Sequence, residues 1–205
     1  ARLGERGFYL LAMDVGRLGD RSEVCVFRVN PNQDGVYYAT LVNIITLGRT
    51  PETRQFSYQA RDLKRLIKLY KPKEVIIDTN GLGISLADEM LKTHYDLDGS
   101  ELPPYGFFNN DDYKKIQPKD APQILYSMKA NGPLNSQIHG NAYSRVSGGR
   151  IRFLITEQEA KSSLLATKQG QSMKTEDKIR RLMPHQQTTN LFNQMANLRM
   201  KRTGT

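Results

Sequence analysis

The sequence predicts an α/β fold in which a mixed central sheet is flanked by helices. Short, nearly continuous apolar runs recur in the first half of the chain, as in strands buried on both faces. After residue 56 the apolar residues change to helical spacing. Strand, helix, strand and helix then follow in that order, which adds strands in parallel. The 205 residues suffice for one large domain, or for one domain with an appendage.

Three strands are predicted first, and they form an antiparallel meander. The first is "GFYLLAMDV", the second "EVCVFRV" and the third the longer "VYYATLVNIITL". The segment "NPNQDG" lies between the second and third strands and is typical of a hairpin turn.

A helix is predicted over "SYQARDLKRLIKLYKP", with Ser57 as its N-cap and Pro72 as its stop signal. Its apolar residues share one face: Ala60, Leu63, Leu66, Ile67 and Tyr70. The fourth strand, "KEVIID", ends at Asp78, and after the tight turn "TNGLG" a second helix covers "ISLADEMLK". "YGFFNN" is interpreted as a fifth strand.

The remaining elements are predicted to be mostly helical. "DAPQILYSMKANG" is expected to be a helix capped by Asp120, and "VSGGRIRFLI" a turn with a short strand. A capping box of Thr156 and Glu159 opens the next helix. Residues 167–175 are expected to be a polar linker, followed by two helices, the second with Pro184 in its first turn. We therefore expect a core over 1–155 and a basic helical extension over 156–205.

The chain carries a formal net charge of +9, and the excess is uneven. From residue 150 onward there are 11 basic and 4 acidic residues, an excess of seven positive charges. A basic surface favours a polyanionic partner, most often nucleic acid, although a merely solvated face has the same composition. The apolar runs are too short for a transmembrane helix, and no signal peptide is recognised.

Cys25 is the only cysteine, so neither an intrachain disulfide nor a cysteine-based metal site is expected. It lies in an apolar run, and we interpret it as a core residue of a protein from a reducing compartment.

Two acids end predicted strands, and a third follows a glycine-rich turn. Asp14 ends strand one, Asp78 ends strand four, and Asp20 lies six residues after Asp14. If strands one and four are neighbours, the first two carboxylates leave the same sheet edge, where they repel unless a cation lies between them. Oxygen ligands without Cys or His favour Mg²⁺ or Mn²⁺. The alternative is that each acid caps its own turn.

This order of elements resembles the ribonuclease H-like arrangement. Within it, the chain resembles the C-terminal nuclease domain of the large terminase subunit of tailed bacteriophages. The matching segments are "AMDVGRLGDRSEVCVFRV", "EVIIDTNGLGISLADEML", "YGFFNN" and the stretch from "EAKSSLLATK" to "KRTGT". The resemblance implies a ribonuclease H-like mixed sheet with a C-terminal helical extension. It also implies a two-metal nuclease that cuts concatemeric double-stranded DNA during genome packaging.

The resemblance assigns roles to the acids. Asp14 is implied to be the first metal ligand and Asp78 a second, bridging one, with Asp20 as an additional catalytic acid and ligand. A third acid that the family places in a later helix has no clear counterpart before the sequence ends at "KRTGT", which suggests truncation. Asp177 is the candidate substitute. A fragment without that ligand is expected to cut poorly.

The resemblance also implies partners. They are an N-terminal ATPase domain of the same polypeptide, the portal protein and the small terminase subunit, at the procapsid portal in the cytoplasm of an infected bacterium. No membrane is expected to be a partner. This chain has no phosphate-binding "G-x-x-x-x-G-K-[ST]" segment, so we do not expect it to hydrolyse ATP by itself.

Basic residues are the candidates for contact with the DNA backbone, which they neutralise without reading sequence. They are Lys114, Lys115, Arg145, Arg180, Arg181, Arg199, Lys201 and Arg202. His139 and Tyr143, in a stretch expected to be a loop, and His185, at a predicted helix start, are weaker candidates for the same surface.

Two other classes of protein stay open. The first is a non-catalytic DNA-binding or motor-docking module with an incomplete site. The second is a phosphate-binding lobe of the actin-like or sugar-kinase type, since "DVGRLGDRS" resembles the first phosphate loop of those ATPases. Those folds need two lobes and a longer chain, and no third glycine-rich segment is present.

Overall fold

The computed structural model describes residues 7–16, 21–32 and 34–197. The chain divides into two compact units, the first ending at Arg152 and the second beginning at Phe153. The boundary predicted from the sequence, between residues 155 and 156, stays a prediction.

The first unit contains strands and helices in alternation. Its described strands are β1 (Phe8–Asp14), β2 (Ser22–Pro31), β3 (Tyr37–Leu47), β4 (Glu74–Asp78), β5 (His94–Tyr95), β6 (Glu101–Leu102), β7 (Gly106–Phe107), β8 (Gln123–Met128) and β9 (Ile151–Arg152). Its described helices are α1 (Phe56–Tyr70), α2 (Gly83–Met90), α3 (Asp111–Ile116) and α4 (Gly132–Ser147). The second unit contains α5 (Glu157–Leu165), α6 (Lys168–Ser172) and α7 (Thr175–Asn197).

Seven strands form one mixed sheet in the order β7-β8-β4-β1-β2-β3-β9. β1, β2 and β3 pair antiparallel, whereas β4 joins β1 in parallel and β8 joins β4 in parallel. The predicted α/β class, with an antiparallel meander followed by parallel strands and with flanking helices, is therefore confirmed. β5 and β6 form a separate small hairpin that the sequence reasoning missed.

The core lies on one face of the central strands. Leu11 and Met13 of β1 are in register with Val75 and Ile77 of β4, and all four side chains are buried. Helices α1 and α2 cover this face, and their buried residues belong to the same apolar cluster. Each fully buried aliphatic side chain contributes about 1.5–3 kcal/mol, so this layer holds the sheet and helices together.

Helix α1 confirms the predicted amphipathic pattern, but its predicted N-cap is wrong. The helix begins at Phe56, with Gln55 in the N-cap position and no side-chain cap. Its end agrees with the prediction. Lys71 adopts a left-handed conformation (φ 48°), its N–H bonds to the carbonyl of Ile67, and Pro72 follows.

The prediction of a helix over residues 120–132 is wrong, because β8 lies there. Its burial alternates: Leu125 and Ser127 are buried, whereas Tyr126 between them is exposed. The strand is sandwiched between β4 and β7, and the ladder bonds on both edges outweigh local helix propensity. The stretch around residues 135–145, expected to be a loop, is helix α4, whose N-cap Asn131 accepts a bond from the Leu134 amide.

In the second unit the predicted Thr156–Glu159 capping box is confirmed. The predicted linker contains the short helix α6, and the two helices predicted after it are one continuous helix, α7, with Pro184 inside. Two contacts just after the proline hold α7 against the chain that leads into α5. His185 Nδ1 bonds the carbonyl of Ile155 at 2.9 Å, and the Thr189 hydroxyl accepts the Glu157 amide at 2.9 Å.

Candidate functional site

Asp14 and Asp78 end neighbouring parallel strands. Met13 of β1 is in register with Ile77 of β4, so the two acids are the next residue on each strand. Adjacent strands lie about 4.8 Å apart, which brings the two backbones to one strand spacing at this edge. Asp14 is exposed and Asp78 is half-buried. The structure thus places both acids at the same sheet edge, as the sequence predicted.

A third acid lies in the same row, and sequence reasoning missed it. Glu23 of β2 is directly opposite Asp14 in the antiparallel ladder. Paired residues share a face, so by strand alternation Asp14, Glu23 and Asp78 lie on the face opposite the α1 core. The Thr46 hydroxyl donates a 2.9 Å hydrogen bond to Glu23 Oε1. Glu23 could not be found from the sequence, because its position beside Asp14 depends on the register of β1 with β2, which no local pattern shows.

The negative charge of this row affects Cys25, which lies opposite Ala12 on β2. Burial, with smaller contributions from the charges of Glu23 and then Asp14, raises the pKa of the Cys25 thiol to about 11. The thiol therefore stays protonated at neutral pH, which suits the packing role predicted for it.

The Asp78 carboxylate is oriented by its own turn. The backbone amide of Asn80 donates a 2.9 Å hydrogen bond to Asp78 Oδ1. The Asn80 side chain also donates to the carbonyl of Ala130, at the start of the β8–α4 connection. Gly83 opens α2 so close to this turn that a Cβ there would overlap the backbone carbonyl oxygen of Asp78. The predicted turn-capping role is therefore present. It uses Oδ1 of Asp78, and Oδ2 takes no part in the hydrogen bond from Asn80.

A buried polar network supports the strand ends beside Asp78. The hydroxyls of Thr79 and Ser127 lie 2.7 Å apart, and the Thr79 amide donates to the carbonyl of Met128. The Asn109 side chain bonds both the N–H and the carbonyl of Ser127, each at 2.8 Å. These bonds fix the ends of β4 and β8 relative to each other.

A second network fixes the stems of the turn between β1 and β2. The buried Ser22 hydroxyl accepts the Gly16 amide at 2.9 Å and lies 2.6 Å from Gln59 Oε1. The Gln59 side-chain amide donates to the carbonyls of Gly16 and Arg54. Helix α1 therefore holds both ends of the segment that contains Asp20, whereas Asp20 itself lies outside the described residues.

The donor set at this edge suits a hard cation with few protein ligands. Among the residues that the structure describes, no group of three His, Cys, Asp or Glu side chains is arranged to hold a metal ion. Mg²⁺ is commonly held by one or two carboxylates together with waters and substrate phosphates. Asp14 and Asp78 fit that mode. Asp177 lies in the first turn of α7, in the second unit.

The predicted DNA-contacting residues are dispersed. Lys114 and Lys115 on α3 pair with Asp111 and Asp112 at 3.0 and 3.1 Å, so their segment carries no net charge. Arg145 lies exposed in the last turn of α4. Arg180 and Arg181 are exposed on α7, and His139 and Tyr143 are exposed on α4. The other three predicted residues fall outside the described range: Arg199, Lys201 and Arg202.

Comparison with known proteins found no matching family model, no matching curated protein and no matching solved structure. Across residues 7–16, 21–32 and 34–197, none of the helices combines the length and the apolar character needed to cross a bilayer.

Proposed function

We propose that this chain is a Mg²⁺- or Mn²⁺-dependent endonuclease domain that cuts double-stranded DNA. The observation that carries the proposal is the register of Met13 with Ile77, which puts Asp14 and Asp78 at one edge of the sheet. Two carboxylates at one strand spacing repel each other in the absence of a cation, and a shared divalent ion removes that cost.

The protein's own groups orient the site. The Asn80 amide fixes the rotation of the Asp78 carboxylate, and the Gly16–Ser22–Gln59 network fixes the chain that leaves Asp14. When bound, the cation would activate a water molecule and stabilise the departing oxygen of a phosphodiester. Asp14 and Asp78 would hold it, with Asp20 as a further candidate ligand, as the family resemblance implies.

DNA is the substrate that the charge of the chain favours. The net charge of +9 attracts a polyanion, and exposed arginines such as Arg145, Arg180 and Arg181 neutralise phosphates without reading bases. Contacts of this kind suit cutting that is largely independent of sequence. We expect affinity for DNA to fall steeply as salt rises, because bound counterions are released when the protein binds.

A ribonuclease H-like sheet and a role in a viral packaging terminase are the finer parts of the proposal. They are supported by the order of the strands, by acids at the ends of β1 and β4, and by the resemblance of the segments that carry them. On this proposal the working partners are an ATPase domain of the same polypeptide, the portal protein and the small terminase subunit.

A plasmid assay tests the proposal. Supercoiled DNA is incubated with the protein in Mn²⁺, in Mg²⁺ and in EDTA. We expect nicking with either metal, none in EDTA, and a loss of at least about 100-fold in Asp14→Asn and in Asp78→Asn. Asp88→Asn, an exposed acid on α2, is the matched control and should cut like the wild type. Nicking that survives both site substitutions contradicts the assignment.

A non-catalytic DNA-binding module is the second candidate function. One observation favours it: Asp78 Oδ1 already accepts a backbone hydrogen bond, as an acid that only caps a turn does. That module would retain DNA in a mobility-shift assay without cutting it in any metal. Its DNA affinity would also be unchanged in Asp14→Asn and Asp78→Asn.

A further inference from the structure

A groove of about 410 Å³ lies beside the two-carboxylate edge, in the first unit. Residues of β8 and of the connection that follows it form its floor, and helix α4 forms one wall. The residues that matter for its chemistry are Tyr126, Met128, Lys129, Leu134 and Ile138.

The register of the sheet places the groove on the strand next to the candidate metal centre. Met128 is the parallel partner of Asp78, and Tyr126 is the partner of Ile76, two residues earlier. By strand alternation, Tyr126 and Met128 lie on the same face of the sheet as Asp78. The backbone of β8 at the groove floor is therefore about 4.8 Å, the spacing of neighbouring strands, from the backbone of β4 at Asp78.

The lining is chemically suited to a nucleotide. Tyr126 is 38% exposed, and its ring packs against that of Phe108 at a tilt of 59°, with the centroids 5.7 Å apart. Leu134 and Ile138 of α4 add apolar side chains to the lining. Lys129 adds an exposed cation, and the described lining contains no Asp or Glu that would repel a phosphate. An aromatic platform beside a cation is how proteins hold unpaired bases and their backbone.

The polar groups of the groove are engaged within the protein. The side-chain nitrogen of Asn109 donates to the carbonyl of Ser127, and its side-chain oxygen accepts from the Ser127 amide. The Asn110 oxygen caps α3, and its nitrogen donates to the Ser127 hydroxyl. Base edges would therefore meet side chains that already have partners within the protein, so we expect stacking to contribute more to binding here than base identity does.

Asn80 links this groove to the acid. Its amide N–H binds the Asp78 carboxylate, and its side chain binds the carbonyl of Ala130, two residues before α4 begins. The wall of the groove is thus anchored to the same turn that orients Asp78.

We propose that this groove holds one unpaired nucleotide of the DNA strand whose phosphate lies at Asp14 and Asp78. The inference rests on the proposed nuclease function. The base stacks on Tyr126, the sugar packs against Leu134 and Ile138, and Lys129 contacts a flanking phosphate. The duplex is therefore locally opened at the site of cutting, and the domain prefers DNA that is already unpaired there.

Binding without catalysis tests the groove. Fluorescence anisotropy in EDTA compares a fully paired duplex with a duplex of the same length that has a three-nucleotide bubble. We expect the bubble to bind about 5- to 100-fold more tightly, the range for stacking one base. Tyr126→Leu should abolish the preference, whereas Tyr126→Phe should keep it. Tyr95→Leu, on the 61% exposed tyrosine of β5, is the matched control and should also keep it.

Equal binding of the two duplexes by the wild type, or a bubble preference that survives in Tyr126→Leu, overturns the inference. The two proposals fail separately. If nicking depends on metal, Asp14 and Asp78 but the protein shows no preference for the bubble, only the proposed nucleotide site is refuted. If the protein prefers the bubble through Tyr126 but does not nick DNA in any metal, the nucleotide site is supported and the nuclease function is refuted.

Discussion

The backbone amide of Asn80 donates a 2.9 Å hydrogen bond to Oδ1 of Asp78. This bond is the turn-capping role that "DTNG" predicts, and it fixes the rotation of the carboxylate at the end of β4. One lone pair of Asp78 is used in the turn, and three remain for other ligands. Capping and metal binding are therefore compatible in one side chain, although the sequence offers them as alternatives.

Gly83 is predicted to be intolerant of any side chain. Its ideal Cβ would overlap the Asp78 carbonyl oxygen, so Gly83→Ala must move the backbone of the Asp78 turn. We expect the free energy of unfolding to fall by about 1–3 kcal/mol in urea denaturation. Gly140→Ala is the control, because that helical glycine of α4 faces open space. It should raise stability by up to about 1 kcal/mol. Equal stabilities of the two variants would refute the close approach.

Gln59 is predicted to be a structural clamp for the turn between β1 and β2. Gln59→Leu leaves the carbonyls of Gly16 and Arg54 without this donor and should lower the free energy of unfolding by about 1–3 kcal/mol. Gln137→Leu, an exposed position on α4, should change it by less than about 0.5 kcal/mol. A Gln59→Leu protein as stable as the wild type speaks against the clamp.

Lys64 is predicted to make stability rise at alkaline pH. Its buried ammonium donates to the Lys92 carbonyl and lies 3.2 Å from His94 Nδ1, while His94 Nε2 lies 3.0 Å from Glu89 Oε2. Burial lowers the pKa of Lys64 to about 8, against about 10.5 in the unfolded chain. Between about pH 8 and pH 10.5, Lys64 is protonated to a greater extent in the unfolded chain than in the folded one. The contribution of Lys64 to the free energy of unfolding therefore rises with pH, by up to about 3 kcal/mol, whereas the raised pKa of Cys25 acts in the opposite direction over much of the same range.

Urea denaturation between pH 7 and 10.5 measures this slope, and the comparison with Lys64→Met isolates it from other groups. The variant should lack the rise. Lys92→Met is the control and should keep the rise, because Lys92 is largely exposed and its hydrogen bond to Glu89 raises its pKa instead of lowering it. If the free energy of unfolding depends on pH in the same way in the wild type and in Lys64→Met, Lys64 is not a buried, charged lysine.

Pro184 distinguishes one continuous helix from two. Proline inside a helix removes a hydrogen bond and crowds the preceding turn, at a cost of about 3 kcal/mol. In the continuous α7, Pro184→Ala should therefore slow amide hydrogen exchange around residues 180–190. If Pro184 instead began a separate helix, where proline is favoured, the substitution would leave exchange unchanged or faster.

Much of the first unit could be predicted because its signals are local. Apolar runs located β1 to β4, and the period of α1 located the helix between them. The order of these elements was enough to predict that Asp14 and Asp78 lie at one edge of the sheet. The signals that failed are those decided by neighbours. The segment of β8 has an ambiguous period, and only its place between β4 and β7 makes it a strand.

The supporting residues of the site could not be predicted for the same reason. Glu23 is beside Asp14 only through the register of a hairpin, and Ser127 meets Thr79 across 48 positions of sequence. Gln59 reaches Gly16 from 43 positions away. Side chains that act through contacts at this sequence separation carry no local pattern, whereas acids at strand ends do.

Binding of Mn²⁺, followed by the loss of the free-ion signal in electron paramagnetic resonance, tests the central claim most directly. We predict that the wild type and the Asp88→Asn control bind Mn²⁺. Asp14→Asn and Asp78→Asn should each weaken binding by about tenfold or more, which is about 1.4 kcal/mol. The double variant should be little worse than either single one, because both acids serve one ion. Mn²⁺ affinity that is unchanged in both single variants would contradict a cation shared by Asp14 and Asp78.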